Sequence, residues 1–174
     1  MKGEQVMIQN QWYAILPSKM VKCNQVIGVK RLNQELVLFR NPKGELGCVS
    51  DQCTHRGAAL HIGKVKGQCI QCPFHGLEFD INGKCTFIPA NGKASTADIS
   101  RYNVKNYPVR EQNDIVYLWY GNPDKVTEKL PFFDEDLDAS YVYSEMEDDW
   151  NAHYSRCIEN QMDVVHLPFV YHNT

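Results

Sequence analysis

The 174-residue chain has no apolar run approaching the roughly 18 residues needed to cross a bilayer. Its opening, MKGEQVMIQNQWYAIL, has neither a basic start leading into an apolar core nor a small-residue cleavage site. These absences predict a cytoplasmic chain with no membrane association. No basic cluster is present, so no nucleic-acid partner is expected. Internal repeats are absent too. With 43% hydrophobic and 22% charged residues, the composition is that of an ordinary globular protein and excludes collagen-like and disordered classes.

Seven cysteines without a secretory leader argue against a disulfide framework, because cytoplasmic thiols are kept reduced, and their odd number points the same way. Metal binding becomes the leading use for some of them. Charge is divided along the chain: residues 1–129 carry 17 Lys and Arg against 11 Asp and Glu, and residues 130–174 carry 1 against 10. This change of character near Pro131 predicts a first domain over residues 1–130 and a second segment over 131–174.

Short strand-like runs, each ended by turn residues, fill the first part. Gln25–Val29, Leu36–Arg40 before Asn41-Pro-Lys-Gly, and Leu77–Ile81 before Asn82-Gly all read as strands. Tyr107–Glu111 and Ile115–Tyr120 read as a hairpin across Gln112-Asn-Asp, and Asn82-Gly and Asn91-Gly as two further hairpin turns. The pattern is all-β, with no crossover helices. From Ser155 to His166, Ile158, Met162 and Val165 recur at helical spacing, with Glu159, Asp163 and His166 on another face, so a helix ended by Pro168 is expected.

Chemistry concentrates in Cys53-Thr-His55, then sixteen residues, then Cys72-Pro-Phe-His75-Gly. Two compact Cys-plus-His pairs supply two thiolates and two imidazoles, the donor set of a two-iron cluster with unlike irons. Gly57 and Gly76, each just past a histidine, permit tight turns that aim N–H groups at sulfur. The competing reading is a tetrahedral zinc site built from Cys53, Cys69, Cys72 and a nearby histidine. Haem attachment is excluded because Pro73, not histidine, follows Cys72. Cys23, Cys48, Cys69, Cys85 and Cys157 are expected as core or partly buried thiols, and His61 as a loop or surface residue.

The spacing C-x-H-x16-C-x2-H, with CTHRGA and CPFHG around it, resembles Rieske [2Fe-2S] domains over residues 10–125. That resemblance implies an antiparallel β-sandwich with a cluster-binding subdomain, holding a [2Fe-2S] cluster on Cys53, His55, Cys72 and His75. Respiratory Rieske proteins carry an extra, disulfide-bonded cysteine in each loop and a serine near the cluster. Here Ala58, Phe74 and Leu77 stand near those places, which points to the oxygenase and ferredoxin branch.

Trp150-Asn-Ala-His-Tyr and the stretch Glu159–Val170 resemble the start of the catalytic domain of Rieske non-haem iron oxygenases, the ring-hydroxylating and O-demethylating group. The resemblance implies a bridging role for Asp163 and a mononuclear Fe(II) on His166 and His172. The family's x4 spacing falls on Tyr171, one residue before His172, and its third ligand, a carboxylate, lies far beyond residue 174. The expected function is electron transfer from a reductase or ferredoxin to an oxygen-activating iron, in a homo-oligomer whose chain is cut early in the catalytic domain. The alternatives are a stand-alone Rieske-type ferredoxin and a structural zinc module.

Overall fold

The computed structural model describes residues 7–130 and 148–170. The chain divides into two compact units, Met1–Phe132 and Phe133–Thr174.

Ten strands form three antiparallel sheets in the first unit. β1 (Gln11–Pro17), β10 (Ile115–Tyr120) and β9 (Val109–Gln112) make one sheet in that order. β2 (Val26–Arg31), β3 (Gln34–Arg40) and β4 (Leu46–Ser50) make the second. β5 (Lys64–Lys66), β6 (Cys69–Gln71), β7 (Glu78–Phe79) and β8 (Cys85–Phe87) make the third.

The run Leu36-Val-Leu-Phe explains how these sheets stack. Successive side chains on a strand point to opposite faces. Leu36 and Leu38 pack with Ile15, Leu16, Val116 and Leu118 of the first sheet. Val37 and Phe39 pack with Ile70, Leu77 and Phe79 on the side of the third sheet. These four residues, at the centre of β3, are fully buried. The middle sheet is therefore covered on both faces, which is why β3 reads as a continuous apolar run rather than an alternating one. A third cluster, Trp12, Tyr117, Trp119 and Leu130, packs the other face of β10, with the Trp12 and Trp119 rings edge to face at 5.4 Å.

The β9–β10 hairpin turns through Asn113 and Asp114, both with positive φ, as a two-residue turn requires. Asn82-Gly83 likewise turns β7 into β8, with the Gly83 N–H donating to the Asp80 carbonyl. The expected Leu77–Ile81 strand is shorter, because Asp80 Oδ1 accepts from the Asn82 and Lys84 amides and pulls the chain into the turn. The expected hairpin at Asn91-Gly92 is not formed. Those residues close a 3₁₀ turn over Pro89–Asn91, started by the proline, and no strand follows within that loop. Conversely, β2 and β3 are joined by Leu32 and Asn33, both with positive φ, a hairpin without a glycine to announce it.

In the second unit, α1 covers Tyr154–Met162, with the His153 side chain accepting from the Ser155 amide as its cap. The expected continuation to His166 fails at Asp163, whose backbone is extended and whose Oδ1 accepts from Val165 N–H at 3.1 Å. That local bond competes with the helix ladder. Pro168 does not end a helix but sits in the first turn of a second one, α2 (Leu167–Val170), where its missing N–H costs nothing. Ile158, Met162 and Val165 are exposed.

The first and second sheets are also tied by charge. Arg40 on β3 makes a two-pronged contact with Glu111 on β9 and donates to the Val21 and Gly44 carbonyls. The Arg40 guanidinium holds the Glu111 carboxyl below its usual 4.5, against an opposing push from burial. A carboxyl depressed by folding adds stability above its unfolded range and loses it as pH falls through the folded value. Glu111→Gln should therefore cost about 1 kcal/mol at neutral pH. Urea unfolding from pH 7 to pH 3 should show the gap between variant and parent closing as the solution turns acid.

Candidate metal centre

Two loops protrude from the second and third sheets with the same internal closure. In the first, Cys53 N–H donates to Ala58 O at 2.8 Å and Cys53 O accepts from Gly57 N–H at 2.8 Å. In the second, Cys72 N–H donates to Leu77 O at 2.8 Å and Cys72 O accepts from Gly76 N–H at 3.1 Å. Each loop thus closes a six-residue unit from cysteine to a residue five positions on, with glycine in its fifth place. Gly57 and Gly76 have φ of +71° and +75°, a conformation costly for any residue with a Cβ.

The equivalent closures set both cysteines at equivalent points, and both are buried, at 2% and 3% exposure. Their thiols are close enough to influence one another, and burial pushes the Cys53 thiol up to about 11, opposed by the backbone N–H groups of His55 and Arg56. Two neighbouring buried thiols ionise together only when a cation compensates them. His55 and His75 are exposed, and their rings meet edge to face with centroids 4.6 Å apart. The four candidate ligands therefore separate into a buried sulfur pair and an outer nitrogen pair. Among the described residues, no three His, Cys, Asp or Glu side chains gather around a single ion position. A two-iron cluster asks for two pairs, each on its own metal, whereas a tetrahedral zinc ion asks for one convergent cage.

Cys69, which the zinc reading needs, lies on β6 with its Sγ 3.4 Å from Thr86 Oγ1. Cys48 and Cys85 are buried and Cys69 and Cys157 partly so, but Cys23 is exposed, contrary to expectation, because it occupies a turn before β2. His61 is a surface residue, 42% exposed, held by Asp51. Sequence spacing did not reveal the part played by residues 99–102. Thr54 Oγ1 donates to Tyr102 O at 2.6 Å, and the Tyr102 ring stands 6.3 Å from that of His55. Together with His75, Leu77, Ile99 and Arg101 these rings line a cleft of about 380 Å³ beside the histidine pair. In the second unit, His166 Nδ1 lies 3.3 Å from Asp163 Oδ2, and His172 falls outside the described residues.

Comparison with known proteins agrees with this geometry. A family model described as the Rieske [2Fe-2S] domain matches residues 11–108. The iron-sulfur subunit TsaM1 of the toluene-4-sulfonate monooxygenase system of Comamonas testosteroni is 28% identical, over 96% of this chain and 47% of its own length. The oxygenase component of dicamba O-demethylase from Stenotrophomonas maltophilia is 31% identical, over 94% of this chain and 48% of its own. The solved structure of Pseudomonas putida CBB5 NdmA superposes with a TM-score of 0.81 at 26% identity, covering 95% of this chain and 51% of that one. The chain thus spans about half the length of these relatives, and less of others.

The paired loops predict distinct outcomes for the cysteines. Cys53→Ser and Cys72→Ser should each lose iron and lower the unfolding midpoint, since metal-binding free energy is in part folding free energy. Cys69→Ser should keep both iron and visible colour; iron analysis with thermal unfolding checks all three.

Proposed function

Since the chain belongs to the Rieske [2Fe-2S] domain family, we propose that residues 1–130 are the electron-transfer domain of an oxygenase terminal component, with residues 131–174 opening its catalytic domain. Cys53 and Cys72 would hold one iron and His55 and His75 the other. When bound, a [2Fe-2S] cluster supplies one-electron transfer, at a higher potential than an all-cysteine cluster because two neutral imidazoles replace two anionic sulfurs.

The observation that carries the reading is the division between buried thiols and exposed imidazoles. Cys53 and Cys72 keep water from the anionic side of the site, and the His55 and Arg56 amides stabilise negative charge on the Cys53 sulfur. His55 and His75 are exposed to solvent, where a reductase or ferredoxin donor would approach. The matches to TsaM1 and to the dicamba O-demethylase oxygenase component run over 96% and 94% of this chain, past the end of the family domain at residue 108. That extent favours the oxygenase over a stand-alone carrier.

The acceptor would be a mononuclear Fe(II), with His166 as a ligand, His172 as a second and Asp163 as the link towards it. Pairing of a ligating histidine with a carboxylate orients its ring, and the Asp163–His166 contact has that form. The relatives TsaM1 and dicamba O-demethylase are named for different substrates, toluene-4-sulfonate and dicamba, so the substrate is left open. The activity proposed for the whole protein is oxygen-dependent hydroxylation or demethylation, in a homo-oligomer supplied with electrons by a reductase or ferredoxin. Among the described residues no helix is long and apolar enough to cross a membrane, and a cytoplasmic setting is part of the same proposal.

The purified chain should carry about two irons and two sulfides and take up about one electron on anaerobic titration, with bleaching of its visible absorption. A further tightly held iron would assign His166 and His172 a working site. Colourless protein containing zinc would overturn the proposal.

A further inference from the structure

The two cysteine loops are alike inside and unlike at the base. The Cys72 loop leaves from β6 and returns in β7, and those strands pair directly, Ile70 with Phe79 and Gln71 with Glu78. Ladder hydrogen bonds therefore clamp its two legs. The Cys53 loop leaves from β4 and returns in β5, which belong to different sheets and do not pair with one another. The bonds within the loop and the Thr54–Tyr102 bond hold its tip, but no strand ladder holds its legs together at the base.

Asp51 supplies a tie there. Its Oδ1 accepts the backbone N–H of His61 at 2.7 Å, and its Oδ2 meets His61 Nδ1. A carboxylate offers only acceptors, so Nδ1 carries the proton of that bond. The Asp51 side chain is 10% exposed, and its own amide donates to Glu35 O on β3 at 3.0 Å, which fixes the carboxylate to the middle sheet. The imidazole has a seat shaped for it: a Cβ added at Gly28 on β2 would stand 2.7 Å from His61 Cβ and Cγ. Beside it, Leu60 is fully buried. One carboxylate, one imidazole and one missing side chain thus close the base of the loop where a strand ladder does the same for its counterpart.

We propose that Asp51 and His61, seated on Gly28, are positioning residues that hold Cys53 and His55 in place against Cys72 and His75. The proposal rests on the assignment of those four residues as cluster ligands. It predicts an effect on the site that exceeds any effect on the fold, because His61 lies at the surface and the sheets keep their own ladders.

Four variants test it in the holoprotein: Asp51→Ala removes both bonds, His61→Ala removes one, His61→Asn restores a donor, and Gly28→Ala fills the seat. Cluster loss to excess EDTA should accelerate about five- to ten-fold in His61→Ala, the factor that one net side-chain hydrogen bond represents, and further in Asp51→Ala. Gly28→Ala should resemble His61→Ala, while His61→Asn should return close to the parent rate. The reduced-state EPR lines should broaden in the same order, a signature that a merely structural loss would not give, with thermal unfolding in His61→Ala little changed. Parent-like chelation rates and line widths in Asp51→Ala and His61→Ala would overturn the clasp. A parent protein without a cluster, or a Cys53→Ser variant that keeps one, would instead overturn the ligand assignment.

Discussion

The site depends on bringing two thiols together under the surface while leaving two imidazoles at it. A polar or ionisable pair loses hydration when buried, and the cost is recovered only by a compensating partner. Here the backbone does part of that work before any metal is considered, since the His55 and Arg56 amides favour negative charge on the Cys53 sulfur. The left-handed Gly57 and Gly76 make such tight loops possible. The sheets provide the rigid base, with β3 buried on both faces so that neither neighbouring sheet can slide without breaking a packed core.

The ligand spacing was legible because each Cys-plus-His pair occupies a single loop, where sequence distance and spatial distance coincide. The same holds for the Asn113-Asp114 turn and the β9–β10 hairpin. What was hidden depends on contacts distant in sequence. The carbonyl of Tyr102 reaches Thr54 from 48 residues away, and nothing in the composition of either segment marks that meeting. Leu32 adopts a left-handed turn that its side chain disfavours, because the β2–β3 ladder on either side leaves no other closure. Asn91-Gly92 misled for the opposite reason: a strong turn signal served a 3₁₀ turn, since Pro89 before it sets a helical φ.

In the second unit, the helical period of Ile158 and Met162 was readable, but the break at Asp163 was not. The carboxylate that the resemblance places between two metal sites also bonds its own backbone two residues on, and that bond ends α1. Helix termination and the Asp163–His166 pairing are thus set by the two oxygens of one side chain.

The central claim is that sulfur and nitrogen ligands are segregated, with Cys53 and Cys72 on one iron and His55 and His75 on the other. Pulsed EPR of the reduced protein, prepared with and without ¹⁵N-labelled histidine, tests it most directly. The account predicts two directly coordinated nitrogens that shift with the label, one of which disappears in His75→Cys. A reduced centre with no histidine nitrogen coupling, or one in which His75→Cys leaves both couplings in place, would contradict it.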